Sequence, residues 1–130
     1  MRVYIDADVL IWHLRGLPEA MGMLRSLRNS DDEMWMSAAQ RIEILFHLRP
    51  GEEAGAASLL DGFGMEPITK QVVDTAARLF RRWNPSHGVG QNDAILAATA
   101  MLTGGRIITQ NVKHFPMPDV RVERGWEVAS

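Results

Sequence analysis

The sequence predicts an α/β fold built on a central parallel sheet, and two observations carry that reading. Short apolar runs (Val3-Tyr4-Ile5, Met34-Trp35-Met36, Ile107-Ile108) alternate with longer segments whose apolar residues recur at helical spacing. Strands separated by helices pair in parallel and are covered by helices on both faces. An acid, Asp6, closes the first apolar run, at the strand end where sheets of this kind bind ligands. The chain has 130 residues, which fits one domain over 1–130.

Val3 to Ile5 reads as a buried strand, and Val9-Leu10-Ile11-Trp12 with Leu14 continues into a helix after Asp6. Met21, Leu24 and Leu27 suggest a second short helix, ended by the polar run Asn29 to Glu33. Met34-Trp35-Met36 is the second strand. Ser37 can cap the helix that follows, in which Ile42, Leu45, Phe46 and Leu48 share a face until Pro50-Gly51. Glu52 to Phe63, rich in Ala and Leu, predicts another helix, and Met65 to Ile68 a short strand or extended connection. Thr69 is a candidate cap for a helix with the stripe Val72, Val73, Ala76, Leu79 and Phe80, expected to stop near Asn84-Pro85 before a Ser86 to Gly90 loop. Asp93 opens the next helix, which Gly104-Gly105 ends. Ile107-Ile108 and a segment around Val120 and Val122 complete the strands.

Composition bounds the function. With 46% hydrophobic and 23% charged residues the chain can bury a core without cross-links, and its lack of cysteine excludes thiol redox and zinc-thiolate sites. That agrees with a reducing, cytoplasmic setting. No run approaches the roughly twenty apolar residues of a membrane span, and Asp6 comes too early for a secretory signal. The net charge of -2 means that a nucleic acid partner would be held by local basic groups rather than by a global field. Arg41 and Arg49 on one helix and Arg78, Arg81 and Arg82 on another are candidates, although such groups more often form a solvated face.

Asp6, Glu43 and Asp93 are each embedded in apolar sequence without an accompanying run of Lys or Arg, and buried acids of this kind are paired or bound to metal. Two like charges about 4 Å apart repel by roughly 4 kcal/mol at an effective dielectric near 20, which a divalent cation relieves. Mg²⁺ suits carboxylates and water, and can clamp a phosphodiester while activating an attacking water, so phosphodiester hydrolysis is the leading chemistry. Structural roles compete at each position. Asp6 could cap the first helix, Asp93 could complement a helix dipole, and Glu43 could pair with Arg41 or His47.

The segments Tyr4-Ile5-Asp6-Ala7-Asp8-Val9-Leu10-Ile11, Ser37 to Ile44, Asn92 to Ala100 and Ile108-Thr109-Gln110-Asn111-Val112-Lys113-His114-Phe115 together resemble a PIN domain of the VapC-type toxin kind. The resemblance implies a three-layer α/β/α sandwich, Mg²⁺- or Mn²⁺-dependent endoribonuclease activity on RNA, homodimerisation, and inhibition by a cognate VapB-like antitoxin. It carries the acidic ligands onto Asp6, Glu43 and Asp93, with Asn111 at a fourth, often acidic position and Thr109 lining the same site. Asp8 departs from the small uncharged residue usual there, and either supplies a fourth charge or caps the first helix.

No histidine pair has a metal-ligand spacing. His87, in the expected loop before Asp93, is the candidate for substrate contact with Arg41 and Arg82, whereas His114 reads as structural. Tryptophans favour packing, Trp83 beside Arg81 and Arg82 being the one that could stack a base. Two other classes compete with a nuclease. Asp6-Ala7-Asp8 with Ser37 also resembles a haloacid dehalogenase-like phosphatase with Asp6 as nucleophile, but the chain is short for that fold and Glu43 goes unused. A non-catalytic interaction protein on the same scaffold would not need the intact acidic trio.

Overall fold

A computed structural model of the chain describes residues 1–128. Its elements follow in the order β1 (Arg2–Ile5), α1 (Ala7–Leu14), α2 (Pro18–Arg28), β2 (Glu33–Ser37), α3 (Ala38–Phe46), α4 (Glu53–Leu60), β3 (Gly64–Glu66), α5 (Lys70–His87), α6 (Gln91–Thr103), β4 (Arg106–Ile108) and β5 (Arg121–Glu123). The five strands form one sheet in the order β3-β2-β1-β4-β5, and every pairing is parallel. The α/β fold with a central parallel sheet is as the sequence predicts.

Alternation along each strand sorts the core into two layers. Val3, Ile5, Met36 and Ile108 point to one face, packing with Val9, Leu10, Leu24, Ile44 and Leu60 of α1 to α4. Tyr4 and Ile107 point to the other, against Val72 and Ala76 of α5 and the small-residue face of α6. Each fully buried Leu, Ile or Val contributes roughly 1.5–3 kcal/mol. The Tyr4 ring leaves no room behind it: a Cβ on Gly105 would lie 2.5 Å from the ring. No described helix is long and apolar enough to cross a membrane.

Strand order positions the site. The chain runs outward from β1 through β2 to β3, then returns to place β4 on the other side of β1, so the order reverses between β1 and β4. Ligands in open parallel sheets bind outside the carboxyl ends at such a switch point. Ile5 pairs with Ile108, which sets Asp6 and Thr109, the next residues of the two strands, side by side.

Three boundaries differ from the sequence reading. Helix α3 ends at Phe46 rather than running to Pro50: His47 leaves helical geometry, its N–H turning to the Ile44 carbonyl while its ring meets the Glu43 carbonyl. Helix α4 ends at Leu60, its last core residue, rather than at Phe63. Helix α5 continues through Pro85 to His87. The bond that the proline cannot donate is offset one turn later, where Gly88, at φ 67°, donates its N–H to the Asn84 carbonyl (3.0 Å) and the Asn84 amide reaches the Val89 carbonyl (3.0 Å). His87 therefore stands on the last turn of α5, not in a loop.

Candidate active site

Asp6 leaves β1 with extended backbone and caps α1, its Oδ1 accepting from the Ala7 N–H at 2.8 Å. Its other oxygen accepts from the Thr109 hydroxyl at 2.9 Å. The cap and the candidate ligand are thus one residue with two duties. Asp6 is only 7% exposed, and burial, reinforced by the charge of Asp8 and more weakly that of Asp93, pushes its carboxyl up to about 7. Asp8 is not the cap of α1. One of its oxygens accepts from the Val9 N–H (2.7 Å) and the other reaches across to the Gln110 N–H (3.1 Å), and burial with the charge of Asp93 raises its carboxyl too.

Glu43 sits one turn into α3. Burial, then the charge of Asp93, holds its carboxyl above the usual range, while the Asn92 side chain pulls the other way. Ser37 caps this helix with its hydroxyl on the Gln40 N–H, and the buried Gln40 side chain bonds Ser37 Oγ and reaches the Asn92 carbonyl at 3.5 Å. Gln40 thereby ties the helix carrying Glu43 to the start of the helix carrying Asp93. Asp93 closes a capping box on the Gly90 N–H (3.0 Å). Its Oδ2 also stands 3.3 Å from His114 Nδ1.

Four carboxylates from three helices therefore act on one another electrostatically at the carboxyl ends of β1 and β4. Among the described residues none of Asp6, Asp8 and Glu43 forms an ion pair with Lys or Arg. The pairing of Glu43 with Arg41 or His47 is not formed: the His47 ring bonds the Glu43 carbonyl instead (2.8 Å). Nor do the acids form a ready cage, since among the described residues no three His, Asp or Glu side chains are drawn together as a metal site. The donors are nonetheless all carboxylate oxygens, the hard ligands that divalent ions such as Mg²⁺ take.

Thr109, fully buried, links the acids to Asn111: its hydroxyl donates to Asp6 and accepts from the Asn111 N–H (3.0 Å). Asn111 Nδ2 in turn lies 2.6 Å from His114 Nδ1. Of the substrate candidates, Arg82 lies over the Trp83 ring (4.8 Å to its centroid) and His87 meets the same ring edge-on at 5.3 Å, both on the exposed end of α5. Arg41 is half-buried on α3, two residues before Glu43. A cavity of about 500 Å³ between α5 and α6, lined by Ile68, Val73, Phe80 and Ile95, holds none of the acids. The sequence reading passes over Gln40 and Gln110 and gives His114 only a structural role. Only Gln40 carried a signal, as a polar residue one turn before Glu43 on a face otherwise apolar.

Ser37, which a phosphatase would need beside its nucleophile, is fully buried and spent on capping α3. Comparison with known proteins agrees with the nuclease-like arrangement. The PIN domain family model matches residues 3–117. The chain is 34% identical to Ribonuclease VapC19 of Mycobacterium tuberculosis (strain CDC 1551 / Oshkosh) over 119 residues, 90% of this chain and 95% of that protein. It is 35% identical to Ribonuclease VapC10 of the same strain over 116 residues, 88% and 86% of the two chains. Among solved structures, a toxin-antitoxin complex from Klebsiella pneumoniae superposes with a TM-score of 0.79 at 23% identity, covering 97% of this chain and 99% of that one.

Proposed function

The chain belongs to the PIN domain family, and from that premise we propose that it is a divalent-metal-dependent endoribonuclease, the toxin of a toxin–antitoxin pair whose partner is a VapB-like antitoxin. The observation that carries the reading is the set of Asp6, Asp8, Glu43 and Asp93 at the switch point, with Asp8 and Asp93 in the field of both Asp6 and Glu43 and none of the four with a Lys or Arg partner among the described residues.

Asp6, Glu43 and Asp93 would hold Mg²⁺ or Mn²⁺, with Asp8 as the added negative charge. When bound, such an ion polarises a phosphodiester and lowers the pKa of an attacking water. The protein's own contribution is to fix the donors before substrate arrives. Thr109 holds one Asp6 oxygen and the Ala7 N–H the other, so the carboxylate cannot swing. Asp8, held by two backbone N–H groups, keeps the segment after β4 against the start of α1. Asn111 offers an uncharged amide oxygen to water at the site. Arg41, Arg82 and His87 would meet the phosphates and bases of a single-stranded substrate. A homodimer completes the reading.

The test is incubation of purified protein with total RNA and a panel of tRNAs, with Mg²⁺ or Mn²⁺ and with EDTA, beside Asp93→Asn. Discrete products that need the metal and vanish in the variant are expected. Cleavage that survives EDTA or Asp93→Asn refutes the metal assignment, and an acyl-phosphate trapped on Asp6 would restore the phosphatase.

A further inference from the structure

We propose that His114 is a positioning residue of the acidic centre, acting through Asn111; the inference rests on the metal-site reading above. Sequence alone reads His114 as structural. The turn over Val112–His114 does not need the imidazole, however, because its backbone closes by itself: the His114 N–H reaches the Asn111 carbonyl and the Phe115 N–H the Val112 carbonyl, both at 3.0 Å, while Phe115 anchors the turn in the core. The ring is directed elsewhere. Its Nδ1 lies 2.6 Å from Asn111 Nδ2 and 3.3 Å from Asp93 Oδ2; one ring nitrogen cannot accept from the amide and donate to the carboxylate at once, and the shorter contact, to the amide, is the hydrogen bond.

The chemistry of an amide gives this hydrogen bond a use. Asn111 Nδ2 has only protons to give, so Nδ1 accepts, and the nitrogen end of the amide is spent on the ring. The oxygen end is then the one Asn111 can offer to the carboxylates' side. The backbone of the same residue is held by Thr109 Oγ, which itself holds Asp6. Asn111 is thus fixed at one end through Thr109 and Asp6 and at the other through His114. Without an acceptor at Nδ1 the amide can rotate by half a turn and donate its N–H groups to the neighbouring acids, which blunts the negative potential a cation needs. His114 prevents that rotation.

The test is a double-mutant cycle read by Mn²⁺ binding, followed by electron paramagnetic resonance, with melting curves to show that each variant is folded at the assay temperature. His114→Leu keeps much of the ring's volume without its nitrogens and is expected to weaken Mn²⁺ binding by about tenfold, within the range usual for groups that orient metal ligands. His114→Asn, whose amide oxygen can stand where Nδ1 stands, is expected to bind like the unmodified protein, and it carries the test alone where His114→Leu does not fold. In an Asn111→Ala background His114→Leu should cause no further loss. Equal binding by His114→Leu, failure of His114→Asn to restore it, or effects that multiply in the double variant overturns the proposal. The RNA assay separates the two readings: if the unmodified protein binds Mn²⁺ but cuts no RNA, the nuclease reading fails while the cycle still decides the role of His114.

Discussion

Replacing Asp6 by Asn should stabilise the metal-free protein, and by an amount that grows with pH. In the unfolded chain this carboxyl titrates near its ordinary 3.8, whereas burial and the neighbouring acids push it up to about 7 in the fold. Between those values the folded state holds a proton that the unfolded state has lost, so stability falls as pH rises through that window and is lost in full above the folded pKa. At about 1.4 kcal/mol per pH unit the whole penalty is about 4 kcal/mol, and about two thirds of it falls between pH 5 and pH 8. Asparagine keeps the shape and carries no such penalty. It gives up one acceptor, so the Thr109 hydroxyl has to be re-aimed, at a pH-independent cost of about 1 kcal/mol. The upward push on Asp8 and Glu43 is present in both proteins and largely cancels. Urea unfolding in EDTA at pH 5 and pH 8 measures the difference. With a slope of about 1–3 kcal/mol/M for a protein of this size, the gap between the two midpoints should widen by about 1–3 M in favour of Asp6→Asn at the higher pH. A gap that stays constant or narrows would show that Asp6 is not a strained, buried acid.

The same electrostatics predict that Mn²⁺ raises the melting temperature of the unmodified protein and leaves that of Asp6→Asn nearly unchanged, a comparison made by differential scanning fluorimetry; equal shifts would place the ion elsewhere. Glu43→Gln should lower RNA cleavage by at least about a hundredfold while leaving circular dichroism unaltered, since the change removes a charge from a half-buried position and keeps its volume. Thr109→Val deletes the hydroxyl that donates to Asp6 and supports the Asn111 N–H, and should destabilise the fold by about 1–3 kcal/mol in urea titrations, a buried partner to a carboxylate being worth that much. Gly105→Ala places a methyl 2.5 Å from the buried Tyr4 ring and should cost about 1–3 kcal/mol by overpacking, with cleavage unaffected at temperatures where the variant is folded.

How legible the molecule was depends on the range of the interaction concerned. The strands and helices could be read because their cause is local: Tyr4 between Val3 and Ile5 sends its ring to one layer and its neighbours to the other, and Ser37 and Thr69 cap the helices that follow them. Helix α5 was misread at its end because Pro85 is a local signal to stop, while the bonds that carry the helix to Gly88 come from Asn84 and are visible only once the chain has turned. The acids stood out for a different reason, as charges in apolar surroundings that composition alone makes expensive. Their supporting groups carried no such mark. Gln110 and His114 are ordinary polar residues, and it is the pairing of β4 beside β1 that brings one to Asp8 and the other to Asp93.

That pairing also explains why Asp6 can serve as both helix cap and candidate ligand. A cap needs extended backbone at the end of a strand and an acceptor aimed at the next N–H, which is the geometry at the carboxyl end of a parallel strand entering a helix. The cap uses one carboxylate oxygen. The other is left facing the neighbouring strand's end, where Thr109 meets it and where the reversal of strand order leaves a crevice. Replacing Asp6 by Ser would preserve the first duty and abolish the second, so folding and metal binding should separate in that variant: unfolding transitions close to those of the unmodified protein at pH 5, where the buried carboxylate costs least, and no earlier than those at pH 8, with Mn²⁺ binding lost. Loss of both together would mean that the charge, and not only the cap, holds the start of α1 in place.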